Sequence, residues 1–132
     1  LEERFFYGWR SLEVIANDDL RYARAALDAG DSAPARTYLD PPLKAWLARE
    51  RITLEAESIV KVSVQRRLPD ADLVRIVKYY ELRNAIAHGD VDREAHREIV
   101  REANGIVGMA RACLVRDLSA TILIPEFRPP TE

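Results

Sequence analysis

The sequence predicts an all-α protein, an antiparallel four-helix bundle with a short extended C-terminal tail. Apolar residues recur at steps of three and four along most of the chain, which is the period of amphipathic helices. Clusters of Gly, Pro and Asp at 30–34, 40–42, 68–70 and 89–90 divide it into four such segments joined by short turns. A length of 132 residues suits one domain over 1–132.

The first segment, residues 3 to 29, is expected to be one long helix. Gly30 follows it and suits the left-handed residue that commonly ends a helix. Asn17-Asp18-Asp19 is a weak point at which this helix could break. Trp9 is expected in the core because it belongs to one apolar stripe, which comprises Phe5, Trp9, Leu12, Ala16, Leu20, Ala23 and Leu27.

The second helix is expected to start just after Asp40 and to end near Leu68. Asp40 can cap the helix, and Pro41 or Pro42 suits its first turn. Pro69 stops it. Its apolar face, which places Trp46 in the core, comprises Leu43, Trp46, Leu47, Leu54, Ile59 and Val62.

The third helix is expected to begin after Asp70 as N-cap and to end near His88, with Gly89 as the left-handed terminator. Its predicted inner face comprises Leu73, Ile76, Val77, Tyr80 and Ala87. The fourth helix follows Asp90 or Asp92. Its predicted buried stripe comprises Ile99, Ala103, Ile106, Ala110 and Cys113.

Two further stretches complete the fold prediction. The charged run that includes Glu94, Arg97, Glu98 and Arg101 is interpreted as a solvated helix face, and His96 within it as a surface residue. The stretch from Ala120 to Pro125 is apolar and β-branched. It is expected to be a short extended segment that packs on the bundle or on a partner.

Composition limits the possible functions. A formal net charge of -2 argues against a broad basic surface for non-specific nucleic-acid binding, but it leaves room for a small phosphate site. One cysteine cannot form an internal disulfide, and two histidines with one cysteine are too few for a typical zinc site. No apolar run approaches the length of a membrane span. We therefore expect a cytoplasmic protein without a metal or cofactor, and the missing initiator Met suggests a domain excised from a longer protein.

Three chemically useful side chains lie close together near the end of the third predicted helix. Asn84 and His88 are four residues apart and share a face, while the long side chain of Arg83 can reach the same helix end. Arg grips phosphate through parallel hydrogen bonds, His is the usual general acid or base, and Asn can orient the imidazole or donate to a phosphate oxygen. We call Arg83, Asn84 and His88 the RNxxxH motif.

These groups suit RNA cleavage without a metal, in which the 2′-hydroxyl supplies the nucleophile. One group must take its proton and another must protonate the leaving 5′-oxygen. Since one protomer offers only one well-placed histidine, the chemistry predicts a composite site across the two-fold axis of a homodimer. By spacing alone, an Arg and a His on an amphipathic helix are more often ordinary surface positions.

The string Leu82-Arg83-Asn84-Ala85-Ile86-Ala87-His88-Gly89 resembles the signature of the HEPN superfamily, and it lies where that family has it, before a final long helix. The resemblance implies a metal-independent ribonuclease of toxin–antitoxin or anti-phage systems, with an antitoxin or a fused domain as partner. It implies that Arg83 and His88 are catalytic and that Asn84 supports them. Family members controlled by a nucleotidyltransferase often carry Tyr where this chain has Asp90, so such control is not expected here.

Other residues were candidates for RNA binding. Tyr79 and Tyr80 could stack on a base or pack in a core or dimer interface. Arg66 and Arg67, with Lys61, could form a local basic patch or a solvated helix end.

Two alternatives to a ribonuclease stay open. A non-catalytic HEPN module would use the RNxxxH motif to bind a nucleotide or RNA without cleaving it. A plain dimerisation domain predicts that Arg83 points to solvent or pairs with a nearby acid such as Glu81.

Overall fold

The computed structural model describes residues 2–39 and 56–127, with side chains described for 2–37 and 56–119. Five helices occur in these ranges: α1 (Glu2–Asp28), α2 (Ala33–Leu39), α3 (Ala56–Arg67), α4 (Leu73–His88) and α5 (Arg93–Phe127). Neither range contains a β-strand. The predicted all-α class is therefore confirmed.

Helix α1 organises the core because it packs against each of the other four helices, most extensively against α5. The predicted stripe supplies Phe5, Trp9 and Leu12, all of which are buried. At Gly8 the two helices approach so closely that an added Cβ would lie 2.7 Å from Ile106 Cγ2 and 3.2 Å from the backbone N of Val107. Gly8 therefore sets the spacing between α1 and α5.

Helix α2 corrects the predicted element order, in which the cluster at 30–34 is only a break between helices. Gly30 does end α1 with a positive φ of 94°. The Asp31 carboxylate then accepts a hydrogen bond from the Ala33 N–H at 3.1 Å, which starts a new helix. Pro34 fits the first turn of that helix. The same residue types can end one helix and begin the next.

The second predicted helix, from Asp40 to Leu68, is described only in its last part, which is α3. Its predicted cap at Asp40, the two prolines and Trp46 lie outside the described residues. Ile59 of the predicted face is buried.

Helix α4 begins two residues later than expected. Asp72, rather than Asp70, has extended backbone angles and accepts a hydrogen bond from the Val74 N–H at 3.0 Å. Two nearby Asp residues offered the same capping chemistry, and the turn that leaves α3 selects the second. The inner face also shifts, because Ile76, Tyr79 and Leu82 are the buried residues and Ala87 is exposed.

The end of α4 agrees with the prediction. Gly89 has a φ of 71°, in the left-handed region. Its N–H donates to the carbonyl of Ile86 at 3.2 Å, and the Asp90 N–H donates to the carbonyl of Ala85 at 2.9 Å. This pair of bonds defines a Schellman motif. It fixes the direction in which the chain leaves His88.

Helix α5 follows Asp92, whose carboxylate accepts from the Ala95 N–H at 2.7 Å. All five residues of its predicted stripe, from Ile99 to Cys113, are buried, and burial raises the pKa of the Cys113 thiol. His96 is exposed, as expected. None of the helices, over their described residues, is long and apolar enough to cross a membrane.

The extended tail is wrong, because α5 continues through 120–125 to Phe127. β-Branched residues lower helix propensity by only about half a kcal/mol each. Extending an existing helix avoids the cost of nucleating a new one. The preceding helix therefore outweighed the local preference for a strand.

Candidate functional site

The RNxxxH motif occupies the last two turns of α4. Arg83 lies partly buried on the flank of the helix, next to the row that packs in the core. Its Nη1 donates to Asn84 Oδ1 at 3.0 Å, while its Nε is buried without a hydrogen-bond partner in the described part of the chain. Among the described residues no acid forms an ion pair with this guanidinium. Arg83 is thus held by a neutral side chain, and no acid among the described residues compensates its positive charge.

This arrangement differs from the one expected of a plain helical domain. Arg83 neither points freely to solvent nor pairs with Glu81, which is exposed two residues earlier on roughly the opposite side of the helix. Asn84 also differs from its expected role, because its oxygen contacts Arg83 rather than the imidazole of His88. The amide therefore positions the guanidinium.

His88 is the last residue of α4 and its side chain is exposed. The left-handed turn at Gly89 begins immediately after it. Since the helix ends here, no following turn of α4 covers the imidazole. His88 is accessible to a ligand at the end of the bundle.

A groove of about 660 Å³ adjoins the motif. One wall is the first two turns of α1, and the other is the last turn of α4; the lining residues are Glu2, Glu3, Phe6, Tyr7, Ile86 and Ala87. Ala87 lies four residues after Arg83, on the same face of α4, and directly precedes His88. We call this cleft the motif groove.

Sequence reasoning missed the α1 wall of this groove. The apolar stripe of α1 includes Phe5 and Trp9, but the two aromatic residues between them fall outside it. Phe6 is 36% exposed and Tyr7 71% exposed. Two aromatic residues on the solvent side of an amphipathic helix were the available signal.

The two tyrosines before the motif pack inside the protein. Tyr79 is fully buried, with its ring edge-on to Phe5 at a centroid distance of 6.0 Å. Tyr80 is half-buried against Trp9 at 5.7 Å. Core packing, the alternative left open for these residues, is therefore their arrangement, and Tyr79 is not accessible to a base.

The candidate basic patch on α3 is bonded to acids. Arg67 donates from Nε to Asp117 at 2.7 Å and from Nη2 to Asp19 at 2.7 Å. Hydrogen bonding to Asp19 is the main cause that raises the pKa of Arg67, although its burial opposes the rise. Lys61 pairs with Glu57 at 2.8 Å, and Arg66 lies 3.9 Å from Asp19. Arg67 thus connects α1, α3 and α5, whereas Arg66 is exposed. An RNA contact of these two residues stays a prediction.

An exposed apolar face lies beside the motif groove and shares Tyr7 with it. On α5, Val100, Val107 and Leu114 recur every seven residues, and Leu118 follows four later. Val14 continues the face on α1, where it is 50% exposed; Leu114 and Leu118 are 47% and 57% exposed. A shallow groove of about 200 Å³ runs between the two helices past Tyr7, Val107 and Leu114. We call this surface the α1/α5 face.

No model of a known protein family, no curated protein and no solved structure matches this chain. In the part of the chain that the structure describes, no three His, Cys, Asp or Glu side chains converge as they would to hold a metal ion. The features of this chain that indicate a function are therefore the motif, the motif groove and the α1/α5 face.

Proposed function

We propose that this protein is a metal-independent endoribonuclease of the HEPN type that acts as a homodimer. The observation that carries the proposal is Arg83, a partly buried arginine held by Asn84 without an acidic partner among the described residues, one turn from the exposed His88. An arginine that needed only a structural role would be expected to pair with an acid or to point to solvent. A phosphate is the group that its free donors fit best.

The reaction follows from these groups. The guanidinium of Arg83 holds the scissile phosphate and stabilises the charge that develops on it. A histidine takes the proton of the 2′-hydroxyl, the 2′-oxygen attacks phosphorus, and the bond from phosphorus to the 5′-oxygen breaks. A second histidine, the partner subunit's His88, gives a proton to the leaving 5′-oxygen. The products are a 2′,3′-cyclic phosphate and a 5′-hydroxyl.

The α1/α5 face supports the dimer. Apolar side chains repeating every seven residues on a long helix are typical of a surface that packs against another helix. The face meets the motif groove at Tyr7, so a second copy seated on it would lie close to the motif. Such a dimer supplies the second histidine.

The test is a ribonuclease assay in EDTA on a mixed RNA pool. Wild-type protein should produce 2′,3′-cyclic phosphate ends. Arg83→Ala and His88→Ala should each lower the rate by about a hundredfold or more. The matched controls are Arg97→Ala and His96→Ala, which remove exposed residues of the same types from α5 and should leave the rate unchanged.

A folded, dimeric wild type that cleaves no RNA in this assay would overturn the proposed activity. Equal losses of cleavage rate in the control variants would show that the effect is not specific to the motif residues. The setting that we propose is toxin–antitoxin or anti-phage defence, in which an antitoxin or a fused domain restrains the nuclease.

A second candidate is a non-catalytic HEPN module that binds RNA or a nucleotide. The net charge of -2 and the acidic residues Glu2 and Glu3 in the motif groove favour the nucleotide as its ligand, because a long polyanion such as RNA meets more repulsion there than a single nucleotide does. Binding of RNA that is lost in Arg83→Ala, without any cleavage, would identify this function.

A further inference from the structure

We infer that the motif groove is a base-recognition subsite that selects guanine beside the scissile phosphate. This inference rests on the proposed function and adds a substrate preference to it. It starts from the lining of the groove, which combines aromatic and aliphatic side chains with two carboxylates. The α4 wall, Ile86 and Ala87, lies within one helical turn of Arg83 and His88.

The apolar lining suits the face of a base. Phe6 is partly exposed beside the more exposed ring of Tyr7, and Ile86 with Ala87 forms the opposite wall. Single-stranded bases are recognised by stacking on aromatic side chains, whereas a ribose phosphate gains nothing from such a surface. A volume of about 660 Å³ is ample for one purine.

The two carboxylates are suited to accept hydrogen bonds from the Watson–Crick edge of guanine. Glu2 and Glu3 repel phosphate, so a nucleotide would enter the groove with its base towards them and its phosphate towards Arg83. A carboxylate accepts hydrogen bonds but donates none. Guanine presents two neighbouring donor groups, N1–H and the N2 amino group, to the two oxygens of a carboxylate. The other bases present a single donor group on that edge, so guanine gains one more hydrogen bond.

A structural role for these glutamates makes a different prediction. Acidic residues in the first turn of a helix stabilise it through the helix dipole. Glu94 has the same position in α5 and is exposed, away from the lining of the motif groove. Glu94→Gln is therefore the matched control for removal of a first-turn acid.

The test measures binding separately from cleavage. The probes are short fluorescent RNAs with one 2′-deoxy position at the cleavage site, so they bind without being cut. The residue in question is guanosine, inosine or adenosine, and the readout is anisotropy. Wild-type protein should bind the guanosine probe about tenfold more tightly than the inosine probe, which lacks the N2 amino group.

Each variant has its own expected result. The double variant Glu2→Gln with Glu3→Gln should bind both probes equally, whereas Glu94→Gln should keep the tenfold preference. Phe6→Leu should weaken all probes by about fivefold or more while keeping the order, because it removes only stacking. Thermal unfolding checks that each variant is folded.

The outcomes separate this inference from the proposed function. Guanine preference in binding without any cleavage would support the subsite and overturn the nuclease. Cleavage without base preference would overturn the subsite and leave the nuclease intact. Equal binding of the three probes, or a preference that survives the double variant, would also overturn it. Weak binding of RNA alongside tight binding of a basic, apolar peptide would assign the groove to a protein partner instead.

Discussion

Arg83 and Asn84 are neighbours in sequence and hydrogen-bonded in space, which makes Asn84 a positioning residue. The bond fixes one of the five donor hydrogens of the guanidinium, Nε is buried, and the remaining N–H groups of Nη1 and Nη2 are left for a phosphate. An acid at position 84 would hold Arg83 as firmly, but its negative charge would compensate the positive charge of the guanidinium. The neutral amide positions the arginine and preserves its charge.

This arrangement predicts an order of activities among variants at position 84. Asn84→Ala should lower kcat about tenfold, since a hydrogen bond to a charged group is lost, and Asn84→Asp should lower kcat further. Initial rates over a range of RNA concentrations measure both. Asn17→Ala is the control, because it removes an exposed asparagine of α1 that does not line the motif groove. Higher activity in Asn84→Asp than in Asn84→Ala would contradict the role.

Tyr79 illustrates how a residue beside the motif contributes to stability. Burial raises the pKa of its hydroxyl, and the nearby Glu102 carboxylate adds to the rise, while Arg75 opposes it. An added Cβ at Gly105 would lie 3.1 Å from this hydroxyl oxygen, so a small residue makes room for it. The core therefore stabilises the neutral form of the Tyr79 phenol relative to the phenolate.

A loss of stability at alkaline pH follows from this raised pKa. The folded protein binds the phenolic proton more tightly than the unfolded chain, in which the pKa is about 10. The associated stabilisation is complete below about pH 10 and is lost as pH rises through the folded pKa. Tyr79→Phe should therefore reduce the fall in unfolding free energy above about pH 10. Urea titrations at several pH values measure it, and an unchanged slope would refute the assignment.

At the scale of elements, the contact between α1 and α5 depends on one glycine. Gly8 faces the backbone of α5, and its missing side chain lets the two longest helices touch. The motif groove and the α1/α5 face both lie along this pair. Its spacing therefore affects both surfaces.

Two glycine-to-alanine variants should change the free energy of unfolding in opposite directions. Gly8→Ala should destabilise the protein by about 1–3 kcal/mol, because the new methyl group would press on backbone atoms at 3.2 Å and 3.3 Å. Gly108→Ala should stabilise it by roughly 0.5–1 kcal/mol, since Gly108 is exposed within α5 and nothing lies within 4 Å of an added Cβ. Chemical denaturation measures both. Equal changes of unfolding free energy in the two variants would mean that helix propensity alone determines their stability, without a contribution from the contact between α1 and α5.

At the scale of the whole molecule, Arg67 joins three helices. It stands on α3 and binds Asp19 of α1 and Asp117 of α5. The side chains of Arg67 and Asp19 are only 14% and 13% exposed, so water screens this pair little. The contact lies away from the motif groove and maintains the packing that positions it.

Removing this arginine should be costly without touching the site. Arg67→Ala should destabilise the protein by about 3 kcal/mol, because it removes little-exposed, charge-assisted hydrogen bonds to two carboxylates, those of Asp19 and Asp117. Lys61→Ala is the control and should cost about 0.5 kcal/mol or less, because it removes a more exposed pair within α3. Urea denaturation compares them. Similar small losses in both would show that the contact between the helices contributes little.

The assembly is a property of the whole molecule and has its own test. Leu114→Arg should convert the proposed dimer to a monomer, because a charge replaces an apolar side chain in the middle of the α1/α5 face. Light scattering coupled to gel filtration measures the mass. Val74→Arg is the control, since Val74 is 75% exposed on α4 outside that face. A monomer that retains full ribonuclease activity would contradict the composite site.

The sequence alone determined the helical class, the stripes of α1 and α5, and the end of α4 at Gly89, because these depend on local periodicity and on one residue that favours positive φ. It also located the RNxxxH motif. It did not decide between Asp70 and Asp72 as a cap, and it did not predict α2 or the helical end of α5. At these places the alternative local conformations differ by less free energy than the contacts with the surrounding structure contribute.

Only the tertiary structure decided which charges and aromatic rings are available. Arg67 and Arg83 are the same residue type near helix ends, yet Arg67 meets two acids from distant helices and Arg83 meets a neutral amide. Tyr79 and Tyr7 are likewise the same type, and one is in the core while the other lines a groove. Partners far apart in the chain set these environments, and no local pattern encodes which of them will meet.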